Sequence, residues 1–210
     1  MENLVLLLIL ILLFSGFITS SLFLYKQEQE KKYSFLKMFP YELRTKNNTL
    51  NILPMIFLIL SIGLTSYFSL ALLYFERENL ICRSFSLSLL INGIFLVGVF
   101  VLDMSDYKVH IIQTSLLYVM TFVNYVLFSY WVFRDGQNTY PLWVGIVCII
   151  ISFIILLSMF CKPLINWYKL KKNEKGDEFS RGKVFILAFI EWCIIFLYFA
   201  LFILLVIGRM

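Results

Sequence analysis

The sequence predicts an all-α fold, a polytopic transmembrane bundle of six helices in one domain. Three observations predict it. The chain has 210 residues, of which 61% are apolar, and only 15% are charged. Mean hydropathy is +0.87, more apolar surface than a soluble domain of this size can hide. The apolar residues fall in six long runs and not in amphipathic periods, which places the chain among membrane proteins. Strands are disfavoured, since a barrel needs alternating apolar and polar residues around a closed circuit.

The spans read as 3–25, 52–75, 84–102, 112–133, 141–161 and 183–207. Each is long enough to cross a hydrocarbon core of about 30 Å at about 1.5 Å per residue. The first opens Met1-Glu2-Asn3 and lacks a basic leader, so a retained helix is expected and not a cleaved signal peptide. Pro54 opens the second span and Pro141 the fifth, both near a first turn where proline is tolerated. No linker, repeat or low-complexity stretch divides the chain.

Charge gives an orientation. The first, third and fifth loops carry 14 of the 18 basic residues, and the other side carries Arg77, Arg83, Arg134 and Arg209. The positive-inside rule then puts the basic loops in the cytoplasm and both termini outside. Opposing this, Asn47-Asn48-Thr49 in the first loop is an N-glycosylation acceptor pattern. The fifth loop, with Lys169, Lys171 and Lys172 beside Trp167 and Tyr168, reads either as an orientation signal or as a site for anionic lipid headgroups. In the second reading each nearby cation is worth roughly 1 kcal/mol. Membrane lipids are the expected partners, and nucleic acid is not.

The chain holds little reactive chemistry. Glu191, followed by Trp192, lies inside the last span. A carboxylate there costs on the order of 2.5–3.5 kcal/mol on insertion scales, so it is expected to face the protein interior and find a partner or a proton. It reads either as a strut between two helices or as a group in lipid or proton chemistry. Asp103, Asp106 and the single histidine, His110, surround the third loop. They read as an interfacial cap or as a general acid/base or metal group. His110 is expected to reach Asp103 or Glu191 across the bundle. In the fourth span His110, Thr114, Thr121 and Tyr125 share one broad face beside Asn124. Ser84, Ser88 and Asn92, then Ser61, Thr65 and Ser69, repeat at four-residue spacing, and Gly16 and Ser20 form a small pair. These are either packing faces or the walls of a polar pocket.

Cys82, Cys148, Cys161 and Cys193 are scattered, without C-x-x-C spacing, so neither a disulfide framework nor a metal cage is expected. One histidine cannot build a multi-histidine site. No nucleophile elbow, H-E-x-x-H, P-loop or Rossmann glycine pattern occurs, and no cofactor is expected.

Several short motifs occur in order. Phe39-Pro40-Tyr41 lies in the first loop, and Tyr74-Phe75-Glu76-Arg77 closes the second span. Gly98-Val99-Phe100 runs to His110 at the head of the fourth span, and Phe189-Ile190-Glu191-Trp192-Cys193 lies in the last. The ordered set resembles the DRAM (damage-regulated autophagy modulator) family and its FRAG- and SFK-type relatives. In that family the first-loop motif usually continues into an Ile-Ser-Asp-Thr-Gly-like stretch, where this chain has Glu42-Leu43-Arg44-Thr45-Lys46.

The resemblance implies a non-enzymatic multi-pass protein of the endolysosomal system or plasma membrane. Such a protein would regulate or organise lipids, autophagy or trafficking. One branch of the family is linked to remodelling of GPI-anchor lipids, which makes a lipid-remodelling enzyme the alternative. A small transporter or channel subunit ranks last, because the spans lack paired Gly/Pro breaks. The family's luminal first loop is opposite to the orientation the charges give. With the basic loops cytoplasmic, Asn47 is expected to carry no glycan in cells. A gel shift removed by a glycosidase reverses that orientation.

Overall fold

A computed structural model of the chain describes residues 2–29, 32–44, 50–76, 78–101, 107–134, 139–162 and 185–208. Hydrocarbon offers no hydrogen bonds, so a spanning segment has to close its backbone bonds within itself. The six apolar runs do so as helices: α1 Glu2–Gln29, α2 Ile52–Phe75, α3 Leu80–Val101, α4 Tyr107–Arg134, α5 Leu142–Met159 and α6 Ile186–Ile207. All six are long and apolar enough to cross a membrane, and the chain is a multi-pass, all-helical membrane protein. A 3-10 turn, Pro40–Leu43, stands between α1 and α2.

The ends depart from the expected spans for local reasons. α3 starts four residues early because Asn79 caps it, its Oδ1 accepting the N–H groups of Ile81 at 3.0 Å and Cys82 at 3.1 Å. α4 begins at Tyr107 and not at 112, so His110 belongs to its first turn. α5 stops at Met159, where Phe160 and Cys161 turn their N–H groups back to Leu157 and Ser158.

The last span is the centre of the bundle. In α6 56% of the apolar window is buried, against 22% in α1. Each of the other five helices, or the residue that starts it, meets α6 through a named contact. Phe14 of α1 stacks on Phe199 at 3.9 Å, and Thr65 of α2 shares a 3.0 Å hydrogen bond with Tyr198. Gly93 of α3 gives the same Tyr198 hydroxyl its room, since a Cβ there would stand 3.2 Å from it. Tyr125 of α4 donates to the Leu197 carbonyl at 2.8 Å. Tyr140, just before α5, reaches the Leu205 carbonyl at 3.3 Å. Toward that end Phe85, Phe128, Trp131 and Tyr140 form a buried aromatic cluster with ring centroids 5.2–6.2 Å apart.

The hydroxyl stripes resolve mostly as packing faces. Ser15, Thr19, Ser20, Ser61, Ser69, Ser84 and Ser86 return their hydroxyls to carbonyls four residues back in their own helices. Ser84 faces outward, while Ser88 and Asn92 turn inward. At Gly16 a Cβ would meet the Phe57 ring of α2 at 3.5 Å, ordinary van der Waals contact, so the close approach there does not require a glycine.

Tyr198→Phe removes the hydrogen bond to Thr65 and keeps the ring. It is expected to cost about 1 kcal/mol, read as a lowered midpoint of thermal unfolding in a fixed detergent.

Candidate functional site

Glu191 and Trp192 are neighbours on α6, so their side chains leave the helix roughly 100° apart and meet different partners. Glu191 turns to α4. There His110 and Thr114, one turn apart, both reach its Oε1, with His110 Nε2 at 3.2 Å and Thr114 Oγ1 at 3.0 Å. His110 is fully buried and Glu191 is 2% exposed. The carboxylate is thus kept from the acyl chains by neighbouring helices, as its cost in hydrocarbon requires. Its other oxygen, Oε2, is buried and has no hydrogen-bond partner among the described residues. The group lies five residues into α6, about 7 Å from the helix start. It is therefore near one end of the membrane span and not at its middle.

That end is covered by the first loop. The rings of Phe39 and Tyr41 stand nearly perpendicular to the His110 imidazole, at 5.9 and 5.2 Å. Phe39 also packs edge-on against Phe185 at 5.4 Å. Glu42 shapes the turn, its carboxylate accepting the Phe39 N–H at 2.6 Å, one half of a capping box. Pro40 is buried at the first position of the turn, where its fixed φ suits a helical start.

Trp192 fastens this lid. Its indole Nε1 donates toward the Met38 carbonyl at 3.0 Å and the Tyr33 hydroxyl at 3.1 Å. The Tyr33 hydroxyl in turn donates to the carbonyls of Phe39 at 2.6 Å and Met38 at 3.0 Å. Burial pushes the Tyr33 phenol well above its ordinary range, with the carboxylates of Glu42 and Glu191 adding to the rise against the opposing Trp192 bond. Tyr33 therefore stays a donor. Two ties to backbone carbonyls complete the cover. Phe185 N–H donates to the Leu36 carbonyl at 2.7 Å, and Arg44 Nη1 donates to the Val101 carbonyl at the end of α3, at 3.1 Å.

The structure thus joins three of the sequence motifs: Phe39-Pro40-Tyr41, His110 and Glu191-Trp192. It separates the fourth. Tyr74 and Phe75 end α2 on the opposite side of the bundle, largely exposed. Arg77, Asp103, Asn47, Lys169, Lys171 and Lys172 lie outside the described residues. His110 meets Glu191, one of the two partners expected for it; the other, Asp103, is among the residues outside the description. The polar face of α4 continues in a second group, where Asn92 Nδ2 donates to Thr121 Oγ1 at 3.1 Å and Ser88 donates to Asn124. Thr121 lies seven residues beyond Thr114, about 10 Å along the helix, with buried Leu117 between them. The two polar groups are separate and do not form one pocket. Tyr33 and Met38 escaped the sequence reading. The available signal was Trp192 itself, because a buried indole N–H needs an acceptor.

No family model matches the chain, and neither a curated protein nor a solved structure matches it.

Trp192→Phe keeps an aromatic ring and deletes the donor. It is expected to loosen the lid, seen as at least about ten-fold faster hydrogen exchange at the Phe185 amide, for a loss on the order of 1.5 kcal/mol. Exchange at the α2 and α5 amides should not change.

Proposed function

We propose that this chain is a non-catalytic multi-pass membrane protein that organises or regulates membrane lipids, as its resemblance to DRAM-type proteins implies. On the same reading its home is the endolysosomal or plasma membrane, where it would act in lipid organisation or autophagy and trafficking. One observation carries the proposal. His110, Thr114 and Glu191 are engaged with one another beneath a lid made of the chain's own first loop. An arrangement of this kind joins α4, α6 and the loop at one end of the bundle. The outer surface is apolar on every helix, with Leu12, Phe75, Ile94, Ile112 and Phe153 each more than half exposed and Phe196 of α6 nearly so. That surface suits contact with acyl chains. The basic residues of the first and fifth loops supply charge for anionic headgroups on the same side.

A second reading has its own observation. A buried carboxylate with one oxygen unpartnered, next to an imidazole, is a fragment of acid/base machinery. It favours a lipid-remodelling enzyme in which His110 moves the proton and Glu191 orients it.

Two substitutions separate the readings. His110→Ala leaves Glu191 buried without its imidazole. It is expected to destabilise the bundle by about 3–5 kcal/mol, as breaking a buried pair does. Neither the parent nor Glu191→Gln is expected to turn over phospholipid or GPI-anchor substrates in reconstituted vesicles. Turnover by the parent that vanishes in a folded Glu191→Gln protein replaces the first reading with the second.

A further inference from the structure

We propose that the covered carboxylate of Glu191 is a binding site for the primary ammonium of an aminophospholipid headgroup. The segment Tyr33–Arg44 is its lid. The proposal rests on the lipid-organising reading and gives it a ligand class.

The first support is the unshared oxygen. The side-chain donors His110 and Thr114 of α4 both go to Oε1, leaving Oε2 buried with no partner among the described residues. A carboxylate oxygen only accepts, so its complement is a donor, and in a site of low dielectric a charged donor suits it best. A primary ammonium has three N–H donors and no acceptor. A quaternary ammonium has none. Aromatic rings border the cluster, with Phe39 and Tyr41 against His110 and with Tyr33 against Trp192 at 6.1 Å. Such rings receive a cation favourably on their faces.

The second support is the distribution of charge around the lid. Lys26, Lys32 and Arg44 are exposed at this end of the bundle. An anionic oxygen within and cations at the rim match a headgroup that enters ammonium first, with its phosphate left at the rim. Choline lipids lack the N–H, and glycerol lipids lack the positive charge.

The third is how the lid is held. Glu191 is 2% exposed beneath it, so the described structure is the closed form, and a headgroup enters only when the lid lifts. What holds the lid down is a small set of hydrogen bonds, chiefly Trp192 to Met38 and Phe185 to Leu36. Bonds of that kind open and close without unfolding the helices.

The test uses the full chain, stripped of lipid in detergent and titrated with short-chain phosphatidylethanolamine, phosphatidylcholine and phosphatidylglycerol. Bound lipid is counted by native mass spectrometry, and lid motion is followed by hydrogen exchange at the Phe185 and Arg44 amides. The ethanolamine lipid is expected to bind about ten-fold or more tightly than the other two, the worth of one charge-assisted hydrogen bond. Its binding should speed exchange at both lid amides, and Glu191→Gln should erase the preference. Arg44→Gln should weaken all three lipids alike, since all three carry the phosphate. Equal binding of the three headgroups overturns the proposal while leaving the lipid-organising reading intact, and a folded Glu191→Gln protein that keeps the preference does the same. Absence of any retained lipid overturns both. Where Glu191→Gln does not fold, the three titrations of the parent decide alone.

Discussion

Hydrocarbon cannot hydrate a carboxylate, and the rest of this fold is arranged around that constraint. Glu191 has to be enclosed by protein, and enclosing it fixes what stands beside it. α4 presents His110 and Thr114 from successive turns, which sets the rotation of α4 against α6. The first loop closes the remaining side with Phe39 and Tyr41. Trp192, one residue along, then secures that loop through its indole N–H. A single adjacent pair on α6 thus specifies how two helices and a loop meet.

The same constraint sorts the other polar side chains. A hydroxyl that can return to its own backbone adds no obligation to a neighbour, and most serines here do so. The amides of Asn92 and Asn124 cannot, and they are buried where α3 and α4 face each other. Specific contact between helices therefore depends on a limited set of residues: the two asparagines, Gln113 against the Phe95 carbonyl, Thr65 with Tyr198, Tyr118 and Ser129 against carbonyls of α5, Tyr125 and Tyr140 against carbonyls of α6, and the Glu191 group. Elsewhere the helices meet through aromatic and aliphatic packing, which is what membrane bundles rely on when lipid is as apolar as the side chains.

Much of this was legible in the sequence. Six apolar runs of spanning length can only be six helices, and the 3.6-residue period put His110, Thr114, Thr121 and Tyr125 on one side of α4. The expected choice for His110 lay between Asp103 and Glu191, and the structure places Glu191 against it. What the sequence hid was long-range. Trp192 and Met38 are separated by 154 positions, and no periodicity connects a loop carbonyl to an indole that far away. Boundaries were also blurred, because capping by Asn79 carries α3 past Arg83, where composition alone suggested a loop. The tetrapeptide from Tyr74 to Arg77 belongs to the same run of motifs, yet its described part lies at the other end of the bundle. Order along a chain does not amount to shared location.

The central position of α6 bears on how the protein is made. Translation delivers α6 to the membrane after the five helices that surround it. Until it arrives, His110 lacks Glu191, Thr65 lacks the Tyr198 phenol, and the first loop lacks the Trp192 indole that holds it. The nascent intermediate therefore lacks the contacts that order this end of the bundle. Assembly of this bundle is completed at its middle, by a helix that follows the other five into the membrane.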